Sequence, residues 1–156
     1  MTREARQSPP PGGAHPHGGK NVAFFEWEDR YRLGVDALDR QHERLVRRVN
    51  DFYEGMRAGE GREMLGETLD ALLAYADTHF QTEEGLMVLH GYPDRAEHCR
   101  IHRRMREHVF ALKARFDAGH LTSPVRIGNF LKNWLSKHIL ETDKRMQPFL
   151  RRPGSR

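Results

Sequence analysis

The sequence predicts an all-α domain, an antiparallel up-down-up-down bundle of four helices, and three observations lead there. Four segments place apolar residues at alternating steps of three and four, the seam of helices packed near 20°. Connections of only a few residues make successive helices antiparallel. Glycine, proline and short polar residues stand at the ends of these segments as start and stop signals. A chain of 156 residues is long enough for one domain with its own core.

Residues 1–20, MTREARQSPPPGGAHPHGGK, hold three consecutive prolines and four glycines. They cannot bury enough surface to offset ordering, so a disordered tail is expected, with His15 and His17 as solvated tail residues. Residues 21–36 form an aromatic N-terminal arm, with Phe24, Phe25, Trp27 and Tyr31 packing across the domain rather than forming a helix. The bundle is expected over 21–150 and a flexible C-terminus over 151–156.

The first helix is expected from about Ala37 to Arg57, N-capped by Asp36 with Asp39 at its third position. Its inward stripe is Leu38, His42, Leu45, Val49, Phe52 and Met56. The second runs from about Gly61 to Leu89, with Gly91 and Pro93 as stop signals. Its stripe is Leu65, Leu69, Leu72, Ala76, His79, Glu83 and Leu86. The third, about Asp94 to Ala118, lines up His98, His102, Met105, Val109, Leu112 and Phe116 and ends at Gly119. The fourth starts at Ser123-Pro124, an N-cap followed by a first-turn proline, and carries Ile127, Leu131, Trp134 and His138. It should end before Pro148.

These apolar stripes are interrupted by groups that burial penalises. A buried imidazole or carboxylate is costly unless it is paired, hydrogen-bonded or bound to a metal. His42, His79, Glu83, His98, His102, His138 and Asp143 form such a set across all four helices, and together they ask for a cation. The pairs His79/Glu83 and His98/His102 have the four-residue spacing that puts both side chains on one helix face. His138 and Asp143 do not, because five steps leave them about 140° apart on an ideal helix. If both are ligands, the fourth helix must widen into a π-bulge near 138–143.

Imidazole-rich ligation with two carboxylates suits iron, zinc, copper or nickel. Seven ligands exceed what one tetrahedral zinc takes. Two metals fit better, with the carboxylates bridging and the imidazoles divided three and two. The metal with fewer imidazoles then keeps an open position for a small ligand. No Glu-x-x-His pair occurs in the chain, which separates it from the ferritin-like di-iron carboxylate oxidases. Of the other histidines, His90 reads as a helix C-terminal cap, and His108 and His120 as surface residues. Cys99 reads as a packing residue beside the seam.

Net charge is +4, but the arginines are scattered over helical faces, and no helix-turn-helix, zinc-finger or RNP pattern accompanies them. Nucleic acid is not an expected partner. No segment approaches the roughly 20 apolar residues of a spanning helix, and the N-terminus lacks a secretory apolar core, so membrane insertion is not expected. One cysteine excludes an intrachain disulfide, and a cytoplasmic location is the expectation.

The same residues resemble the hemerythrin family in its bacterial single-domain form, over roughly residues 24–147. The resemblance is carried by Phe25-x-Trp27, Gly34-Val35, Asp39-x-Gln41-His42, Leu45, Asn50, Tyr75, His79-Phe80-x-x-Glu83-Glu84, Met87 and Gly91-Tyr92-Pro93. It continues through His98-x-x-x-His102 and Trp134-Leu135-x-x-His138-Ile139-x-x-x-Asp143. It implies two iron ions with a hydroxo or oxo third bridge and reversible binding of O₂. By resemblance, His98, His102 and His138 hold the saturated iron, and His42 and His79 the iron with the vacant position. Glu83 and Asp143 bridge them, whereas Glu84 lies off the stripe.

The implied role is oxygen storage, delivery to an oxygen-consuming enzyme, or buffering, without enzymatic activity. Sensing of O₂, redox state or nitric oxide, and iron-repair or peroxide-handling chemistry, are the alternatives. Such a site must be dry, and Leu45, Phe80, Trp134, Leu135, Ile139 and Leu140 are the candidate pocket wall. Two positions depart from the family pattern: Met105 stands where relatives often carry an aromatic, and Met146 where many carry a tyrosine.

Overall fold

The computed structural model describes residues 23–60, 62–120 and 123–150. The expected tail over 1–20, with His15 and His17, and the expected C-terminus over 151–156 lie outside the described residues. Four antiparallel helical arms form the bundle: α1 (Asp36–Arg57), α2 (Arg62–Leu89), α3 (Arg95–Asp117), and a fourth arm in three parts. That arm consists of α4 (Pro124–Lys137), a π-helical turn (His138–Asp143) and α5 (Lys144–Leu150). α1 packs on α2 and α4, and α2 on α3.

Helix ends follow local chemistry. Past α2, Gly91 takes φ 61°, Tyr92 N–H bonds Met87 O at 2.9 Å and Gly91 N–H bonds Val88 O at 3.3 Å. This is the Schellman closure that glycine permits. His90 stands at the cap position, and its backbone N–H bonds Leu86 O at 2.9 Å.

The start of α1 differs from expectation. Asp36 is its first residue rather than its cap, and Val35 holds the cap position without a side-chain bond. The orphaned donors before the helix are served from inside it. Asp39 reaches back to the N–H groups of Leu33 and Gly34, at 2.7 and 3.0 Å. A carboxylate in the first turn also suits the positive end of the helix dipole.

The aromatic arm lies across the bundle, with one short 3₁₀ turn at Asp29–Tyr31 that the sequence did not announce. Asn50 clamps it, accepting from Phe25 N–H at 2.8 Å and donating to Phe25 O at 2.9 Å. Phe24 stacks on Tyr53 at 3.9 Å, and Tyr31 Oη meets Ser136 Oγ at 3.1 Å.

The fourth arm does not stop before Pro148, which lies inside α5. A proline's fixed φ is itself helical; its cost is one lost backbone bond and a clash, about 3 kcal/mol. Burial of Met146 and Leu150, with Phe149 edge-on to Tyr92 at 5.2 Å, holds the helix through it.

The core has two apolar layers. The larger gathers Leu45, Val49, Phe52, Leu69, Phe80, Val109, Leu131 and Ile139 with their neighbours. The smaller gathers Leu33, Leu38, Met87, Tyr92, Met146 and Leu150. On α1 and α2 metal-type residues fall between the two, in the runs Leu38, His42, Leu45 and Phe80, Glu83, Met87.

Candidate metal centre

All seven side chains are buried, with Glu83, His42, His102 and Asp143 at 0% exposure. The three–four stripe puts His42, His79, Glu83, His98 and His102 inward from regular helices. Asp143 arrives by a different route. The Lys144 N–H bonds to Ile139 O, five residues back, so the backbone is wound in π form from His138 to Asp143. The wider turn brings both His138 and Asp143 inward, resolving the conflict of their five-residue spacing.

Each carboxylate divides its oxygens between two groups of imidazoles. Glu83 Oε1 faces the Nε2 atoms of His42 and His79 at 3.5 and 3.3 Å. Glu83 Oε2 faces those of His98 and His102 at 3.4 and 3.2 Å. Asp143 Oδ2 faces His42 Nε2 at 3.2 Å, while its Oδ1 faces His98 and His138 Nε2 at 3.3 and 3.0 Å. Two donor sets result, each with its ligand atoms within 4.8 Å of one another. One is Glu83, His98, His102, His138 and Asp143; the other is His42, His79, Glu83 and Asp143.

These contacts are a convergence and not a hydrogen-bond network. Both oxygens of Glu83 and Asp143, and the Nε2 atoms of His42, His79 and His98, are buried without a hydrogen-bond partner. Buried polar atoms in that condition cost several kcal/mol together, roughly 1–3 each. His102 Nε2 and His138 Nε2 lie 3.2 Å apart, as two lone pairs aimed at one point would. Soft-to-borderline nitrogen donors with bridging carboxylates fit a pair of divalent or trivalent transition-metal ions. The residues present therefore fit two ions.

Two of the candidate ligand rings are oriented from behind. His79 Nδ1 lies 3.0 Å from Gln41 Oε1, and Gln41 is itself fixed by donating to Thr82 Oγ1 at 3.1 Å. His102 Nδ1 lies 2.9 Å from Glu84 Oε1. Donation from Nδ1 leaves Nε2 free as the ligating atom. Both partners neighbour a metal-type residue in sequence, Gln41 before His42 and Glu84 after Glu83, and both stand in the motifs that carry the family resemblance, which do not state their contacts.

Electrostatics in the metal-free site balance two carboxylates against two imidazoliums. Burial opposes charge on His42, yet Asp143 and Glu83 outweigh it and raise the ring to about 9. The same balance raises His98 to about 9. Burial dominates at His79 and lowers it to about 4. Burial would raise Glu83, but His79, His102, His42 and His98 hold it well below its ordinary value. Burial and the Glu83 charge would raise Asp143, and His138 and His42 hold it low.

Above this layer lies a narrow apolar cavity of about 30 Å³. Leu45, Phe80, Trp134 and Leu135 line it, with Met105 and Ala76 among the rest. Ile139 and Leu140 do not; Ile139 is fully buried in the larger layer and Leu140 packs half-buried against it. Phe80 stacks on His102 at 3.9 Å and Trp134 on His138 at 4.6 Å. Met105 fills part of the cavity wall, and Met146 sits fully buried in the smaller layer. His108 and His120 are exposed, and Cys99 is half-buried.

Two overlapping His/Glu/Asp donor sets inside a four-helix bundle define the class: a bundle protein with a candidate dinuclear metal centre. Residues 33–150 match the Hemerythrin HHE cation binding domain, and the chain belongs to the hemerythrin family, whose function is O₂ binding. It is 32% identical over 123 residues to a bacteriohemerythrin of Stenotrophomonas maltophilia (strain R551-3), covering 79% of each chain. It is 33% identical over 130 residues to a bacteriohemerythrin of Methylococcus capsulatus (strain ATCC 33009 / NCIMB 11132 / Bath), covering 83% of this chain and 98% of that one. A crystal structure of wild-type hemerythrin superposes with a TM-score of 0.76 at 31% identity, over 82% of this chain and 98% of that one. The family implies a non-haem di-iron site, and the His/Glu/Asp cluster is where this chain could hold it.

Proposed function

We propose that this protein binds O₂ reversibly at two iron ions, for storage, delivery or buffering of oxygen, and does so as a carrier rather than an enzyme. The observation that carries the reading is the division of carboxylate oxygens, Glu83 Oε1 and Asp143 Oδ2 toward His42 and His79, Glu83 Oε2 and Asp143 Oδ1 toward the other three imidazoles. His98, His102 and His138 would hold one iron, His42 and His79 the other, with both carboxylates and a hydroxo or oxo group as bridges. Iron held there would supply reversible two-electron redox chemistry toward O₂.

The chain's own residues make that exchange reversible. The set with only four protein donors leaves room for a small ligand beside His42 and His79. Leu45, Phe80, Leu135 and their neighbours keep the adjoining cavity apolar, and a dry wall denies protons to bound oxygen. Arg106, the one charged lining residue, is engaged elsewhere, ion-paired to Asp77 and lying over the Phe80 ring. A cytoplasmic site of action fits a chain with one cysteine. Among the described residues no helix is long and apolar enough to cross a membrane.

The test is spectroscopic. Iron-loaded protein, reduced without oxygen and then exposed to it, gains a ligand-to-iron charge-transfer absorption in the visible that disappears when oxygen is removed. Conversion within seconds to a ferric form that oxygen removal does not reverse counts against the carrier reading.

A further inference from the structure

The bundle is not equally closed on all sides. Between α3 and α4 three hollows of about 470, 250 and 280 Å³ run end to end. They are continuous, since the first two share Ile101 and Trp134 and the last two share His108 and Phe130. Their rim is basic: Arg104, Arg115, Arg126, Lys137 and Arg145 line them, against one acid, Glu141. Glu141 lies 3.8 Å from Lys137, both well exposed, and neutralises little.

Elsewhere on the surface only some arginines are paired, and Arg40, Arg44, Arg47, Arg48 and Arg103 lack an ion pair among the described residues. Arg30, Arg32, Arg100 and Arg106 each have a carboxylate within 4 Å. No ion pair forms to Arg104, Arg115, Arg126 or Arg145 among the described residues. A row of unpaired cations along a furrow with aromatic walls complements an acidic protein surface.

The floor of the furrow supplies the second argument. His138, a metal-type residue, lines the largest of these three hollows. Trp134 lines that hollow, the next one and the inner cavity, and its ring lies 13° from parallel with the His138 ring at 4.6 Å. A stacked aromatic pair thus connects the basic furrow to a ligand of the site. Any O₂ binder of this kind fails when its irons are left ferric, and it then needs electrons from outside.

We propose that the α3–α4 furrow docks an acidic one-electron-donor protein that returns the ferric pair to the ferrous state by way of Trp134 and His138. The proposal rests on the iron reading given above. Each encounter moves one electron from the reduced donor to one ferric ion, leaving the donor oxidised by one electron and that ion ferrous. A second encounter restores the pair, and no covalent bond is made or broken. Positive rim charges steer the encounter, so the rate falls as salt rises.

Reduced rubredoxin, small and acidic, serves as the probe donor, with reduced basic cytochrome c and dithionite as comparisons. The first readout needs no iron redox: chemical-shift perturbation of the zinc-loaded full chain by rubredoxin. Shifts confined to α3 and α4, lost above 0.5 M salt on the order of a few Debye lengths' screening, are expected. The Arg104→Glu/Arg115→Glu variant should abolish them and slow reduction of the ferric protein by rubredoxin about tenfold or more, with dithionite reduction and O₂ binding unchanged. Arg40→Glu/Arg44→Glu, an equal charge change on α1, should slow it little. Trp134→Leu should keep the docking shifts and slow transfer.

Equal slowing by the two double variants, shifts on another face, faster reduction by cytochrome c, or tighter binding of a DNA duplex or anionic vesicles to the furrow would each overturn the proposal. Loss of the oxygen-dependent spectrum with docking intact would overturn the iron reading and spare the surface.

Discussion

His102 Nδ1 stands 2.9 Å from Glu84 Oε1, so an acidic side chain lies directly behind a candidate ligand imidazole of the five-donor set. The equivalent place behind His79 is taken by Gln41, a neutral amide. A carboxylate partner makes its imidazole the stronger donor and fixes its tautomer. Glu84→Ala is therefore expected to weaken metal binding about 10- to 100-fold, and Glu84→Gln less, because the amide still accepts the bond. Competition titration of the metal-free protein with Zn²⁺ measures both. Wild-type affinity in Glu84→Ala would show that the carboxylate is incidental.

Removing a ligand separates the two donor sets. His79→Ala should drop iron content from about two ions per chain toward one and abolish the oxygen-dependent spectrum. His90→Ala, at the end of α2, should keep both. Iron assay beside the visible spectrum decides it, and the reverse pattern would overturn the ligand assignment.

Protonation gives the metal-free site a pH signature. His42 and His98 are raised from 6.5 to about 9, so the stability they contribute is full below pH 6.5 and is lost as pH rises through about 9. Thermal unfolding of the metal-free protein should therefore fall between pH 6.5 and 9.5, while the metal-loaded form holds steady. Zn²⁺ added at pH 7.5 in weak buffer should release about two protons per chain, and far fewer at pH 10. A release at pH 7.5 no larger than at pH 10 would refute the charge balance.

The aromatic arm is held by one side chain. Asn50→Ala removes both bonds to Phe25 and leaves a buried N–H and C=O unserved, costing about 1–3 kcal/mol in a urea unfolding curve. Trp27 and Trp134 provide the fluorescence readout. An unchanged midpoint would mean that packing of Phe25, 2% exposed, holds the arm alone.

Sequence and structure part company for identifiable reasons. The three–four stripes through His42, His79, His98 and His138 are local periodicities, and the helices and the convergence of their inward residues follow from them. The π turn was legible too, as a conflict between two inward residues five apart. Roles that depend on a second helix were not. Gln41 meets His79 across 38 positions, and no pattern within α1 announces it. Periodicity gives Asp39 its place inside a helix, whereas its bonds go backward to Leu33 and Gly34. The local cost of Pro148 argues for a helix end before it, yet the helix continues through it with Met146 and Leu150 buried on either side.

The π turn also resets the phase of the fourth arm. Before it the inward positions include Ile127, Leu131 and Leu135; from Ile139 onward they are Ile139, Asp143, Met146 and Leu150. His138 and Ile139 are buried side by side where those two series meet. One residue has in effect been spliced into the helix, and the π turn absorbs the roughly 100° by which a regular helix would have rotated everything after it. Rewinding residues 138–143 as a regular α-helix, with the sequence unchanged, would leave that rotation uncompensated. It would also swing Asp143 away from the imidazoles and Met146 and Leu150 away from Leu38 and Met87. The defect in the helix is what keeps the site and the lower core on the same side of it.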